Sequence, residues 1–206
     1  MSGLASRAAL LLALIGLAAA PLGCLSKSYP EKRRYIFEIQ PPGDAVPGPN
    51  GVLRMDRVRV SPLFERKGFV YRTGEATFEN DFYNEFFAPP GVLLRKATLN
   101  RLRAASIFSD VLDATQMGDV DWMLEGHVKE LYGDLRDRAA PFAVFQIEYT
   151  ILDARSPRLA IVFRKTYAAR ISAAGGSAEA IVNGWTEALT QVLSELEVDL
   201  RQRTAR

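Results

Sequence analysis

The chain has 206 residues, 48% of them hydrophobic, 24% charged and 10% aromatic, and its 26 Lys and Arg stand against 24 Asp and Glu for a net charge of +2. This balance excludes a disordered tail protein and a polytopic membrane protein, and without a long basic run it points away from nucleic acid as a partner. One histidine and one cysteine leave too little for most metal sites, disulfide frameworks or histidine-dependent catalysis.

In chain order, residues 1–23 come first. Arg7 precedes the apolar run from Ala8 to Ala20, which falls short of the ~20 apolar residues a membrane-spanning helix needs and suits the apolar core of a secretory signal peptide. Pro21-Leu22-Gly23-Cys24 follows, placing the chain's only cysteine where such a peptide is cut. The arrangement resembles a bacterial lipoprotein signal, which implies a covalent diacylglycerol and N-acyl lipid on Cys24 as the only attached group. The usual motif has Leu where Pro21 stands and a small residue where Leu22 stands, and Ala18-Ala19-Ala20 offers an ordinary signal-peptidase site as the alternative. Acyl chains contribute ~0.8 kcal/mol per buried methylene, so more than one chain holds a protein firmly. Leu25 after the cysteine resembles lipoproteins forwarded to the outer membrane.

Removing these 23 residues leaves 183, enough for one disulfide-free domain. Residues 24–32 are short, polar and contain Pro30, and they read as a tether that reaches ~25 Å at full extension. Residues 33–206 read as a single domain. Arg34-Tyr-Ile-Phe-Glu-Ile39 has strand composition and stops at Pro41-Pro42-Gly43; Val52–Val60 resumes as a strand whose polar residues, Arg54, Asp56, Arg57 and Arg59, suggest an exposed edge or a half-solvated face. Phe69–Arg72 and Ala76–Phe78, separated by Thr73-Gly74-Glu75, predict a hairpin.

Pro89-Pro90 opens a helix predicted over Gly91–Ser106, because proline is accommodated in a first turn. At ~100° per residue Leu94, Leu99, Leu102 and Ala105 share one face and Lys96, Asn100 and Arg103 another, while Arg95 and Val92 blur the pattern. A short strand is expected over Ile107–Leu112. Three alternating strands follow: Trp122, Leu124, Val128 and Tyr132 share a face, as do Phe145, Ile147, Tyr149 and Ile151, and Leu159, Ile161, Phe163 and Tyr167. Short turns between them predict an antiparallel meander. After Gly175-Gly176, Ser177 caps a helix to about Gln202 with the apolar stripe Ile181, Val182, Trp185, Ala188, Leu189, Val192, Leu193, Leu196 and Leu200. The expected fold is α+β, a mixed or antiparallel sheet with both helices packed on one face.

Several of these runs together resemble the ABC-type transport auxiliary lipoproteins, the PqiC-like family. They are the signal, Tyr35-Ile-Phe37, Phe69-Val-Tyr-Arg72, Phe82-Tyr-Asn-Glu-Phe-Phe-Ala-Pro-Pro90, Ile107-Phe108-Ser-Asp-Val111, Asp121-Trp-Met-Leu-Glu-Gly126 and the terminal amphipathic helix. Phe87 stands where tryptophan is common in the family. The resemblance implies a partner role beside MCE-domain proteins and ABC transporter permease and ATPase components that move phospholipid or other hydrophobic molecules across the periplasm.

The residues themselves offer little catalytic machinery. His127 lies on a strand beside Glu125 and Lys129, without a nucleophile elbow or ligand spacing, and reads as a surface histidine. Asp119 with Asp121 and Glu195 with Glu197 read as solvated turn and helix charges. Gly175-Gly176-Ser177 lacks a Walker lysine and reads as a turn plus cap rather than a phosphate cradle. The aromatic group Phe78, Phe82, Tyr83, Phe86 and Phe87 has two readings: core at a sheet-to-helix junction, or an exposed patch for a partner or lipid.

The expectation is therefore a non-enzymatic subunit on the periplasmic face of the outer membrane, anchored through Cys24. Its docking surface is that aromatic patch or the sheet face that the helices leave bare. The alternative is a lipid-binding or envelope-assembly chaperone lipoprotein that works without an ABC transporter. An auxiliary subunit that meets a multimeric channel is also a candidate homo-oligomer. No metal or cofactor is expected.

Overall fold

The computed structural model describes residues 31–39, 42 and 51–204. The expected signal peptide, Cys24 and the expected tether up to residue 30 lie outside the described residues. The elements run β1 (Arg33–Tyr35), β2 (Val52–Val60), β3 (Gly68–Arg72), β4 (Phe78–Phe86), α1 (Pro90–Ala105), β5 (Asp110–Asp113), β6 (Trp122–Asp134), β7 (Phe142–Asp153), β8 (Ala160–Ser172) and α2 (Ala178–Thr204). They build the expected α+β fold, an eight-stranded mixed sheet with both helices on one face.

The 13-residue β6 organises the sheet. Antiparallel β7 pairs along one edge from Trp122↔Asp153 to Asp134↔Phe142, and β8 continues the meander. The other edge is shared between two parallel neighbours, β2 along Trp122–Val128 and β3 at Gly133 and Asp134. The handover falls at Val128, whose carbonyl accepts both the backbone N–H and the hydroxyl of Ser61 at 3.0 Å as β2 ends. Beyond them β5 borders β2, and β4 then β1 border β3.

The ladder bulges between Val128 and Glu130, and this corrects the expected alternation of β6. An inserted residue reverses which side chains face the core. Trp122, Leu124 and Val128 face the helices as expected, but Tyr132 turns to the opposite face. There it packs on Phe64 and Phe78 with ring centroids 5.9 and 5.6 Å away, while the neighbouring Gly133 abuts Ile181 of α2. A second register shift, between Ile151↔Phe163 and Leu152↔Ile161, turns Ile161 outward. Leu159, in the turn before β8, has φ of 49° and is also exposed. Only Phe163 and Tyr167 of that predicted face remain with the core.

Three strand boundaries also differ. β1 has three residues, although Phe37 and Ile39 beyond it still pack on the core. The second hairpin strand extends from Phe78 through Phe86 rather than ending at Phe78. Ile107 and Phe108 are buried but precede β5.

The helices follow their apolar stripes. Leu94, Leu99, Leu102 and Ala105 of α1 are buried and Lys96, Asn100 and Arg103 exposed; Arg95 is occupied by an ion pair to Asp113 at 2.6 Å. All nine predicted stripe residues of α2 are buried. Ser177 Oγ accepts the Ala180 N–H at 3.1 Å, so this segment is the expected turn and cap, with Gly175 and Gly176 at φ of 82° and 62°. Gly184 lets α2 lie close on β7, since a Cβ there would stand 2.6 Å from that of Ala143. No described helix is long and apolar enough to cross a membrane.

Candidate docking surfaces

The aromatic run sits on a bulge of unusual size. Two steps along β3, from Val70 to Gly68, correspond to five along β4, from Asn80 to Glu85. The surplus is gathered by Asp81. Its Oδ1 accepts the backbone N–H groups of Tyr83 and Asn84 at 2.7 and 2.9 Å, and its Oδ2 accepts from Asn84 Nδ2 at 2.8 Å and the Tyr71 hydroxyl at 3.1 Å. A carboxylate that folds its own next residues back in this way is an Asx turn. Burial pulls the Asp81 carboxyl toward the neutral form, but these donors outweigh it and hold its pKa below the ordinary value. The Tyr71 phenol moves the other way, raised by burial and then by the Asp81 charge. Gly68 is required opposite the bulge, because a Cβ there would meet the Asp81 carbonyl at 2.8 Å.

The bulge divides the five predicted rings. Phe86, 2% exposed, is core: its ring lies 4.8 Å from Phe69, 5.2 Å from Phe37 and 5.5 Å from Trp185. Phe78 is half-buried on Phe64 and Tyr132. Phe82 and Phe87 are 69% and 62% exposed and Tyr83 42%. Phe82 and Tyr83 form an edge-to-face pair at 5.2 Å, and Lys32 Nζ stands 4.6 Å over the Phe82 ring. Lys32 and Arg34 share the Glu85 carboxylate at 3.3 and 3.0 Å, and hydrogen bonds from Arg34 and then Lys32 keep its pKa low.

The sheet face away from the helices is the second surface, and it is charged. Arg59, Glu125, His127, Glu148, Thr150 and Arg164 line a depression of about 350 Å³ on it. Glu148 accepts from Lys129 at 2.8 Å, with Arg164 3.9 Å away, and the Lys129 bond lowers its pKa. Asp134 is held below the usual carboxylate range by Arg136 at 2.8 Å, with Arg170 at 3.2 Å. His127 is exposed here.

The remaining sequence candidates do not converge. Asp121 accepts the Val52 N–H at 2.8 Å while Asp119 is exposed. Glu197 is engaged by Arg101 while Glu195 is exposed. Among the described residues no group of three His, Cys, Asp or Glu could hold a metal ion. Sequence reasoning missed Asp81, Asn84 and Lys32. The readable signal was an Asp followed three residues later by Asn, two turn-forming types set within an aromatic run.

The fold has solved relatives. A Xanthomonas campestris protein assigned to the DUF330 family shares 16% identity over 80% of this chain and 92% of its own, with a TM-score of 0.70. A second crystal structure, of an uncharacterized protein, shares 14% identity over 82% and 99% with a TM-score of 0.67. At such identities the likeness is one of fold. PelC from Paraburkholderia phytofirmans, described as a dodecamer, matches at 17% identity over 74% and 92% with a TM-score of 0.43. No curated protein matches the sequence. The model of the ABC-type transport auxiliary lipoprotein component family matches residues 35–197, nearly the whole described domain, and the chain belongs to that family.

Proposed function

We propose that this protein is a non-enzymatic subunit anchored through Cys24 to the periplasmic face of the outer membrane. It docks on an MCE-domain protein and the ABC permease and ATPase of one transport system, and it helps phospholipid or another hydrophobic molecule reach or leave that membrane. Self-association beside a multimeric channel belongs to the same proposal. Family membership supports the transport role.

The observation that carries the reading is the fate of the aromatic run. Phe82 and Tyr83 are lifted from the core by a hydrogen-bonded turn, and Phe87 stays exposed although Phe86 beside it is buried. Core packing does not account for three exposed rings within six residues, whereas an interface with a partner or with a lipid surface does. The charged sheet face, bare of the chain's own helices, offers a second surface suited to a protein partner with complementary charges.

The test separates inner and outer membranes of cells that make the tagged full-length protein, then purifies the complex in mild detergent. The protein is expected in the outer-membrane fraction and to bring down an MCE-domain protein. Purification with bound lipid alone would favour a chaperone lipoprotein that needs no ABC transporter.

A further inference from the structure

We propose that the Phe82–Tyr83 bulge rests in the interfacial layer of the phospholipid leaflet that holds the acylated Cys24. This rests on the anchor reading of Cys24 and adds an orientation to it: the domain meets the bilayer with one specific corner.

The covalent path gives the first argument. Only residues 25–31 separate Cys24 from Lys32, so Lys32 stays within ~25 Å of the anchor even with that segment fully extended. Lys32 leads straight into β1, and β1 pairs in parallel with β4 at Arg33↔Asn84, Arg34↔Glu85 and Tyr35↔Phe86. The ladder thus sets the first ordered residues after the tether directly against the bulge, and Lys32 Nζ covers the Phe82 ring. Among the described residues Ile36, which follows β1, and Phe87, whose N–H donates to the Tyr35 carbonyl at 2.9 Å, add exposed apolar surface along the same ladder. Other exposed apolar side chains, such as Met117 between β5 and β6, Ile161 on β8 and Val198 on α2, belong to elements that the first residues after the tether do not pair with.

Chemistry gives the second. An interfacial contact needs rings that bury an apolar body while a polar tip or a neighbouring cation stays at the headgroups. Phe82 supplies the apolar ring and Tyr83 a ring with a hydroxyl. Lys32 Nζ stands over the Phe82 ring and shares Glu85 with Arg34; Asp81 in the turn and Glu31 are the other carboxylates nearby in the chain. Lys32, over the exposed ring, is the cation placed to meet a lipid phosphate. The turn built by Asp81 keeps the two rings outward before any bilayer is met.

The test places single tryptophans in the acylated full-length protein, reconstituted in phosphatidylethanolamine–phosphatidylglycerol vesicles that carry brominated acyl chains. Trp122 and Trp185 are buried and give a constant background, measured in the parent protein. Phe82→Trp is expected to be quenched at least about twofold more than Met117→Trp, whose site is 97% exposed, because an inserted ring reaches the acyl boundary. The mass of the N-terminal peptide is read in the same sample. An acylated chain whose Phe82→Trp is unquenched, or no more quenched than Met117→Trp, overturns the orientation and leaves the anchor standing. An unacylated chain overturns both. Crosslinking of position 82 to a protein partner in cells, in place of lipid quenching, assigns the bulge to that partner and also overturns the proposal.

Discussion

Arg101 of α1 and Glu197 of α2 form an ion pair where the two helices meet, and both side chains are largely withdrawn from solvent. Arg101 also donates to Ser194 Oγ at 3.3 Å. The pair joins two helices that otherwise touch little while each packs on its own part of the sheet. Removing one member leaves the other charge buried, which costs about 3–5 kcal/mol at full burial and somewhat less at this partly open site. Glu197→Ala is therefore expected to lower unfolding stability by about 2–3 kcal/mol, and Arg101→Met with Glu197→Leu to recover much of it. Urea unfolding of the three proteins checks this; a Glu197→Ala loss under about 0.5 kcal/mol, the range of ordinary surface changes, contradicts it.

Phe86 and Phe87 are neighbours with opposite fates. Phe86→Ala empties a site lined by Phe69, Phe37 and Trp185 and is expected to cost about 3–5 kcal/mol. Phe87→Ala and Phe82→Ala fall within about 0.5 kcal/mol. In pull-downs, Phe87→Asp and Arg164→Glu are expected to reduce partner recovery without lowering the melting temperature. Equal losses of stability at positions 86 and 87 would contradict the division of the patch.

Gly184 sets two effects against each other. Alanine favours the helix by about 1 kcal/mol over glycine, but its Cβ would meet that of Ala143 at 2.6 Å, and overpacking costs about 1–3 kcal/mol. The contact involves two short side chains with nowhere to swing, so packing dominates. Gly184→Ala is expected to destabilise, and Ala143→Gly added to it to relieve the clash. A stabilised single variant would show that α2 lies farther from β7.

Asp81 gives a pH signature. Its folded pKa lies below the ordinary value, so its share of stability is fully present above the unfolded carboxylate pKa of ~3.9 and is lost as pH falls through the lower folded value. Asp81→Ala is expected to cost about 1–2 kcal/mol at pH 7. The cost shrinks toward pH 3 and below, where the parent loses the same interaction. A cost that grows on acidification contradicts the sign.

How much of this was legible in the sequence depends on whether a feature is periodic. The α2 stripe and the α1 face repeat over several turns, and each of those residues is buried. The β7 face Phe145, Ile147, Tyr149 and Ile151 holds because no bulge interrupts it. Tyr132 and Ile161 changed sides because each lies past a one-residue bulge, and alternation carries no mark of where a ladder slips. The length of β4 was hidden because Asn80, Asp81 and Asn84 are turn formers within a strand. The division of the five rings was hidden with it, since it depends on the hydrogen bonds of one carboxylate. The parallel pairing of β1 with β4, which brings Lys32 to Phe82, joins residues some 50 positions apart and has no local signature.

The most direct test of the account is in-cell crosslinking of the tagged full-length protein, followed by affinity purification and mass spectrometry of both the captured proteins and the N-terminal peptide. The account predicts an MCE-domain protein or ABC transporter subunits together with a diacylglycerol-modified Cys24. Capture of only barrel-assembly proteins or copies of the chain itself, or an N-terminal peptide with unmodified Cys24, would contradict it.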